Sequence, residues 1–252
     1  LQKVILSRIK KQNRSSYNNI FDTFLKICNN YTHSFNYLLN IPSEGTWSGA
    51  TPEVLLQGKS NSYTTVALAG SQQFSNNINW ERKEIEEQQY VTDFIDSKLK
   101  ANSIQSEFNK KPITVKAGNI AHLKTIFELK TQKDILDITN LLHPTPAVCG
   151  LPQQEAQKFI LENENHNRKL YTGYLGPIKN NSCDLFVNLR CMQIFKDKYW
   201  LYLGGGITAD SIAEKEWLET ELKAQTMLKV HQEVEKSVIL KVEEALEDKD
   251  YH

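Results

Sequence analysis

The stretch HPTPAVCG at residues 143–150 is the most informative part of this chain, because two prolines interrupt a helical pattern there. The upstream segment 133–142 has helical character, and neither Pro144 nor Pro146 tolerates a helix interior. Three further distinctive segments follow downstream, namely NLRC at 188–191, GGGIT at 204–208 and EWLET at 216–220. Strand-like and helix-like segments alternate on both sides of residues 143–150. This order is typical of an α+β protein with antiparallel sheets covered by helices.

The hydrophobic pattern away from this stretch predicts the remaining elements. Short apolar runs of strand type occur at residues 3–8, 35–41, 52–57, 64–69, 113–115, 121–129, 184–195 and 199–203, the last two as a hairpin. Apolar residues at helical spacing occur at residues 17–29, 80–99, 153–165 and 211–230. Residues 45–50 are predicted to form a turn. After residue 230 the chain is mostly charged with apolar residues on one helical face, which predicts a terminal helix that docks on the body or on a neighbour.

Composition excludes several classes of protein. The 252 residues include 30 Lys plus Arg and 30 Asp plus Glu, and this balance argues against a dedicated nucleic-acid binder. The four cysteines, Cys28, Cys149, Cys183 and Cys191, form no metal-binding spacing and are expected to be reduced thiols of a cytoplasmic protein. No apolar run approaches the ~20 residues of a membrane span, so no membrane association is expected. The start at Leu1 indicates that the chain is a fragment of a longer protein.

Taken together, these segments resemble the C-terminal catalytic domain of the chorismate-utilising enzymes, the family that includes anthranilate synthase component I. Within the family they are most similar to isochorismate synthase, and the match extends from Lys3 to Met227. The resemblance implies two antiparallel β-sheets packed face to face with helices on the outside. It also implies that the N-terminal portion of the family is missing here. Residues 1–230 are then expected to be the chorismate-binding catalytic domain, and residues 231–252 a charged amphipathic helical tail.

The resemblance implies an acid–base pair at two positions. Lys3 in KVILSR matches the general base that activates water, and Glu53 in ATPEVLL matches the general acid that protonates the departing hydroxyl. A lysine acts as a base only when it is neutral, and a glutamate acts as an acid only when burial raises its pKa. Without the resemblance, Lys3 reads as a lysine at a strand edge and Glu53 as a solvated strand residue.

A magnesium site is implied in the same way. Glu87 in KEIEEQQYV and Glu219 in EWLET match the two segments that supply Mg²⁺ ligands in the family. Glu216 precedes Glu219 by one helical turn, so both carboxylates share a helix face. Carboxylate oxygens suit a hard divalent ion that keeps several waters. The position after Glu87 is Gln88, where family members often have histidine. Taken singly, each glutamate reads as part of a solvated helix.

A second group of residues is implied to bind the two carboxylates of chorismate. Arg190 in NLRC and Lys223 in ETELK match the family's cationic pair, and a guanidinium can hold a carboxylate through two parallel hydrogen bonds. Between them, Gly204, Gly205 and Gly206 are expected to form a turn whose backbone approaches the substrate closely. Gly70 in LAGS matches a further backbone contact.

Two positions are implied to face the substrate ring. Ala147 stands where anthranilate-forming and aminodeoxychorismate-forming relatives usually have threonine, and alanine accompanies isochorismate formation. His122 in AHLKT matches a histidine near the ring, although alone it would read as a core histidine. The segment RKLYTGYLG at residues 168–176 matches a family motif that we interpret as scaffold.

These residues together predict an isochorismate synthase. This isomerase converts chorismate reversibly to isochorismate with Mg²⁺ by adding water at C2 and losing the 4-hydroxyl. The alternatives are salicylate, anthranilate or aminodeoxychorismate synthase, or a catalytically inactive chorismate-binding fragment. Chorismate is the expected partner, with no nucleic acid, no membrane and no obligatory amidotransferase subunit. Isochorismate serves menaquinone and siderophore biosynthesis, and the residues leave both pathways open.

Overall fold

Two antiparallel sheets form the centre of the computed structural model, which describes residues 1–14, 19–117 and 120–247. The surroundings of the side chains are described for these residues except 117 and 238–247. The strands are β1 (Lys3–Asn13), β2 (Phe35–Ile41), β3 (Gly45–Thr51), β4 (Val54–Lys59), β5 (Ser62–Gln73), β6 (Gln105–Phe108), β7 (Ile113–Ala117), β8 (Ile120–Lys130), β9 (Gly150–Leu151), β10 (Tyr174–Leu175), β11 (Ile178–Lys179), β12 (Ser182–Val187), β13 (Cys191–Ile194) and β14 (Lys198–Thr208).

The helices are α1 (Ile20–Asn30), α2 (Arg82–Ala101), α3 (Ile135–Leu142), α4 (Gln153–Asn163) and α5 (Ala213–Glu247). Local sequence fixes where several of them begin. The side chain of Asn19 accepts a hydrogen bond from the amide of Phe21 at the start of α1, and Asp134 caps α3 in the same way. At the start of α2 the carboxylate of Glu84 accepts a hydrogen bond from the amide of Glu81.

The first sheet has the strand order β2-β3-β13-β14-β1-β9, and the second has the order β10-β12-β4-β5-β8-β6 with β11 and β7 paired at its borders. Among the described residues the chain changes sheets through α3 and α4 on either side of β9, and without an intervening helix at two adjacent points. Pro52 and Glu53 lead from β3 to β4, and residues 188–190 lead from β12 to β13. We call these two links the crossovers. They are tied together, because the amide of Val187 donates to the carbonyl of Glu53 (2.9 Å) and the amide of Ala50 donates to the carbonyl of Arg190 (3.1 Å).

Apolar side chains pack in layers on either side of each sheet. Helices α1 and α5 cover one face of the first sheet through Ile27, Met227 and Leu228, while α4 covers its β1 edge. Helices α2 and α3 cover the second sheet. Between the sheets an aromatic cluster is centred on Trp47 and Tyr202, whose ring centroids are 4.9 Å apart. The helices therefore lie outside and the sheets face each other, as the resemblance implied.

Three local expectations were wrong. Residues 45–50 form strand β3 and not a turn, because they pair along β2 and β13. Residues 184–195 are two strands in different sheets, so the predicted hairpin joins only β13 to β14. Gly204, Gly205 and Gly206 are not a turn but continue β14, since β1 pairs with them throughout.

The C-terminal helix is longer than the periodicity predicted. Helix α5 is continuous across residues 230 and 231, and Val234 is buried against the body. The proposed tail at 231–252 is helical up to Glu247, and residues 248–252 lie outside the described residues, as do residues 17 and 18 of the helix predicted at 17–29. Along the described part of the chain, no helix combines the length and the apolar character that a membrane crossing requires.

Candidate active site

A cleft of about 700 Å³, including the part open to solvent, lies between the sheets beside the two crossovers. Most of the predicted site residues line it: Glu53, Gly70, Glu87, His122, Ala147, Arg190, Gly204, Gly205, Gly206 and Lys223. Lys3 forms an ion pair with one of these residues, Glu87. Glu216 and Glu219 stand apart from the lining, on the first turns of α5. The cleft therefore brings together residues that are far apart in the sequence.

Glu53 lies on the first crossover and is buried, with 4% of its surface exposed. The amide of Glu53 donates to the hydroxyl of Thr51 (3.3 Å), and that hydroxyl donates to the carbonyl of Val187, the last residue before the second crossover (2.6 Å). Burial raises the pKa of Glu53 to about 7, although the positive charges of Lys3, Lys223 and Arg190 oppose this rise. The carboxyl group can therefore hold a proton near neutral pH and release it to a bound molecule.

Lys3 lies on β1 and is held firmly on both sides. It pairs with Thr208 of β14 and with Leu151 of β9, and its side chain is fully buried. Its Nζ forms an ion pair with Oε1 of Glu87 at 2.9 Å. Its position near the beginning of the chain thus does not leave the side chain loose, because two neighbouring strands fix the backbone around it.

Glu87 reaches the cleft from α2. Burial acts to raise its pKa, but the charges of Lys3, Lys223 and Lys83 outweigh burial and hold the pKa below its ordinary value. The adjacent Gln88 is buried and anchors this turn of the helix to the second sheet, because its Nε2 donates to the carbonyl of Ala67 and to the hydroxyl of Thr125. Because the amide of a glutamine does not ionise, Gln88 can supply this anchor without adding a charge to the site.

Two of the three glycines of β14, Gly204 and Gly206, make the space that neighbouring side chains occupy. A Cβ on Gly206 would collide with the carboxylate of Glu87 and would stand 3.2 Å from Cε of Lys3. A Cβ on Gly204 would stand 2.6 Å from the hydroxyl of Tyr171. The role of these glycines is therefore to admit side chains onto the sheet face, and not to form the turn that the sequence indicated.

Arg190 lies on the second crossover with a φ of +49°, in the left-handed region that non-glycine residues rarely adopt. Burial lowers its pKa, while nearby Glu219 and Tyr31 oppose this effect. Its Nη1 donates to the hydroxyl of Thr226 on α5 (3.1 Å), and its Nη2 lies 3.0 Å from Nε2 of His122. These contacts direct the guanidinium into the cleft.

The arginine contact determines the tautomer of His122. Arg190 can only donate hydrogen bonds, so Nε2 of His122 must accept and carry no proton. Nδ1 then carries the proton and donates it to the carbonyl of Gly70 (2.9 Å), and the hydroxyl oxygen of Ser71 also lies 3.1 Å from Nδ1. Burial, together with the positive charges of Arg190 and Lys223, lowers the pKa of His122 to about 3. His122 is therefore neutral and supports the arginine.

Each carboxylate predicted to bind metal is paired with a lysine. Glu87 pairs with Lys3, Glu216 contacts Lys83, and Glu219 lies 2.6 Å from Lys223. Within the residues that the structure describes, no three Asp, Glu, His or Cys side chains stand close enough to form a ready metal site.

Two observations nevertheless fit a cation beside these carboxylates. Oε2 of Glu216 is buried and has no hydrogen-bond partner in the described residues. Burial acts to lower the pKa of Lys83, but Glu216, Glu219 and Glu87 together raise it, so all three carboxylates act on one ammonium group. This donor set of carboxylate oxygens suits Mg²⁺.

Sequence reasoning missed several residues of the site. Lys83 stands one helical turn before Glu87, and Thr226 stands almost one turn after Lys223, so helical spacing was the available signal for both. Tyr171 was interpreted as scaffold although it lines the cleft. The role of Thr51 had no sequence signal, because it depends on the neighbouring crossover.

The comparisons with known proteins agree with this geometry. A family model described as chorismate binding enzyme matches residues 1–232. The chain is 30% identical over 210 residues to isochorismate synthase EntC of Escherichia coli strain K12, covering 78% of this chain and 54% of EntC. The chain thus spans about half of the length of that relative.

Two solved structures share the fold. The crystal structure of DhbC from Bacillus anthracis superposes with a TM-score of 0.82 at 27% identity, covering 91% of this chain and 66% of that one. MenF, the menaquinone-specific isochorismate synthase from Escherichia coli, has a TM-score of 0.81 at 24% identity, covering 92% of this chain and 56% of that one.

Proposed function

The chain belongs to the chorismate-binding enzymes, and from this membership we propose that its cleft is the active site of an isochorismate synthase. The observation that carries the proposal is the arrangement of Glu53 and Lys3. A buried carboxyl group with a pKa of about 7 and a buried amine act on the same cleft, beside the cationic Arg190 and Lys223. An acid, a base and two carboxylate-binding cations are what a hydroxyl exchange on a dianionic ring requires.

Substrate binding is assigned to the cations of the cleft. Arg190 can hold the enolpyruvyl carboxylate in a bidentate manner, since Thr226 and His122 already fix its orientation. Lys223 donates to the carbonyl of Gly204 and pairs with Glu219, so its ammonium stands at the cleft wall ready for a second anionic contact. Ala147 leaves the ring-facing wall small and apolar.

The proposed reaction transfers one proton from water to Lys3 and one proton from Glu53 to the leaving hydroxyl. Lys3 in its neutral form, with its ion pair to Glu87 broken, takes a proton from water, and the water oxygen bonds to ring C2. The ring double bonds shift and the C4–O bond breaks. The 4-hydroxyl then leaves as water with the proton of Glu53, so that substrate and product are isomers. Each proton transfer typically contributes about 10²–10⁴-fold to the rate.

Magnesium is assigned to the carboxylates of α2 and α5. Glu87 and Glu219 would bind it directly, with Glu216 beside them. When bound, Mg²⁺ would neutralise the ring carboxylate of the substrate. The unpaired oxygen of Glu216 and the convergence of three carboxylates on Lys83 support this assignment.

The proposal is tested by incubating the purified chain with chorismate across a magnesium titration and separating the products by chromatography. We expect magnesium-dependent formation of isochorismate. Salicylate, anthranilate or aminodeoxychorismate as the main product would assign another reaction of the family. Chorismate binding without turnover would show an inactive binding protein.

The metal assignment is tested with Glu219→Gln in the same titration. We expect this variant to require at least tenfold more magnesium. The matched control is Glu214→Gln, since Glu214 is an exposed glutamate on the same helix, and it should behave as wild type. Equal magnesium requirements in both variants would exclude Glu219 as a ligand.

A further inference from the structure

Arg168 opens the segment RKLYTGYLG, and its contacts extend far beyond a scaffold role. It lies in the loop after α4, four residues beyond Glu164. The two side chains form a bidentate ion pair, with Nε to Oε2 at 2.8 Å and Nη2 to Oε1 at 2.5 Å. Both are largely buried, with 16% and 5% of the side chain exposed. A buried pair of this geometry is rigid.

The remaining donors of Arg168 bind two backbone carbonyls from distant parts of the chain. Nη1 donates to the carbonyl of Val148 (2.9 Å), and Nη2 donates to the carbonyl of Ile5 (2.7 Å). Ile5 belongs to β1 and Val148 belongs to the stretch HPTPAVCG. One planar guanidinium thus joins three segments that are well separated in the sequence.

Glu164 is also fixed to β1, independently of the arginine. Its Oε1 accepts hydrogen bonds from the amide of Ser7 (2.7 Å) and from the hydroxyl of Ser7 (2.9 Å). Burial acts to raise the pKa of Glu164, but the bonds from Arg168 and Ser7 outweigh burial and lower the pKa. The carboxylate is therefore ionised and holds the arginine in one orientation.

Both carbonyls that Arg168 binds belong to residues that line the cleft. Ile5 stands two residues after Lys3 on the same face of β1, and Val148 follows Ala147 directly. The amide of Ile5 also donates to the carbonyl of Cys149 (2.8 Å). The separation between the strand of Lys3 and the wall of Ala147 is therefore held by this backbone bond and by the two bonds that Arg168 makes.

We propose that Arg168 is a positioning residue that sets the distance between Lys3 and the Ala147 wall of the cleft. This inference rests on the proposed function, which makes Lys3 the base. Arg168 does not reach the carboxylate-binding cations, so its loss should impair the chemical step more than substrate binding. A displacement of about 1 Å at a reacting group can cost 10²-fold in rate.

The test compares Arg168→Lys with wild type. Lysine keeps the charge but cannot bind Glu164 and two carbonyls with one planar group. We expect kcat to fall 10- to 100-fold while KM for chorismate changes less than threefold. The matched control is Arg82→Lys, because Arg82 also pairs with a glutamate four residues away but is 90% exposed and does not line the cleft. The control should retain wild-type kcat.

A second readout does not depend on turnover. Hydrogen exchange should quicken at least tenfold at the amides of Ile5 and Ser7 in Arg168→Lys, and remain unchanged at the amide of Leu201 on β14. The double variant Glu164→Gln/Arg168→Gln removes both charges of the pair, is measured in parallel, and should show the same local exchange.

The outcomes separate the two proposals. Wild-type kcat in Arg168→Lys, or unchanged exchange at Ile5 and Ser7 in both variants, would overturn the positioning role. A fall in kcat that matches the loss of folded protein would also overturn it, since folded molecules would then be fully active. Absence of chorismate turnover in wild type would overturn the proposed function, while the exchange data would still decide whether Arg168 holds the cleft wall.

Discussion

Burial shifts the pKa values of two groups in the cleft in opposite directions. Desolvation disfavours the charged form of any group, so it raises the pKa of Glu53 to about 7 and lowers that of His122 to about 3. Both groups are therefore neutral when the cations around them are charged. This gives Glu53 a proton to donate and gives His122 a lone pair that faces Arg190.

Glu53→Gln tests the acid at the residue scale. Glutamine keeps the shape of the side chain but cannot donate an acidic proton. We expect kcat to fall about 10²–10⁴-fold with little change in KM, because protonation of the leaving hydroxyl occurs only on the way to the transition state. Steady-state kinetics with chorismate measures both constants.

The pH dependence provides the second half of this test. The protonated form of Glu53 is the active one, so wild-type kcat should fall as pH rises through about 7. The residual activity of Glu53→Gln should lack this fall. Glu128→Gln, at an exposed position on β8, serves as the control and should retain it. A raised KM with unchanged kcat in Glu53→Gln would make Glu53 a binding residue.

At the scale of elements, the crossovers explain why the proposed acid and the arginine clamp lie together. Each crossover leaves one sheet and enters the other, so its backbone is free of regular pairing and can turn side chains into the cleft. Thr51 joins the two links, because its hydroxyl donates to the carbonyl of Val187 and accepts from the amide of Glu53. The position of the acid thus depends on a neighbouring element.

Thr51→Val tests this dependence. Valine has nearly the same shape and removes only the hydroxyl, so the amide of Glu53 loses its acceptor. We expect the free energy of unfolding to fall by about 1–3 kcal/mol and kcat to fall about tenfold. Urea unfolding and steady-state kinetics measure the two effects. Thr51→Ser keeps the hydroxyl and should behave nearly as wild type; equal losses in the two variants would assign the effect to packing.

At the scale of the whole molecule, buried titratable groups link stability to pH. Between pH 6.5 and about 3, unfolded His122 binds a proton that the folded form refuses, so this residue lowers stability as pH falls. Between about pH 7 and 4.5, folded Glu53 binds a proton that the unfolded form does not hold, so this residue raises stability as pH falls. From pH 6.5 to 4.5 the two effects oppose each other.

Removing either group should make the effect of the other on the pH dependence of stability visible. Each group contributes up to about 1.4 kcal/mol per pH unit in this window. Relative to wild type, acidification from pH 6.5 to 4.5 should destabilise Glu53→Gln more strongly and His122→Gln less strongly. Urea unfolding at several pH values measures these slopes, with His33→Gln as a surface control. Slopes parallel to wild type in both variants would show that neither group titrates as proposed.

Local sequence patterns were sufficient to predict most elements and the residue types of the site. Apolar periodicity located α2, α4 and strands such as β2 and β8, because each buries one regular face. The resemblance carried by HPTPAVCG, NLRC and EWLET selected the family and the residues that line the cleft. The division at residue 230 stays a prediction, although α5 continues through it.

How these residues are held depends on long-range contacts that form only in the tertiary structure. The glycines of β14 read as a turn because glycine favours turns in isolation, whereas pairing with β1 keeps them extended. The break between β12 and β13 had no local signal, because it arises where the chain changes sheets. The lysine partners of the metal carboxylates and the contacts of Arg168 join residues far apart in sequence. Local patterns determine local structure, but long-range pairing and burial exist only once the chain has folded.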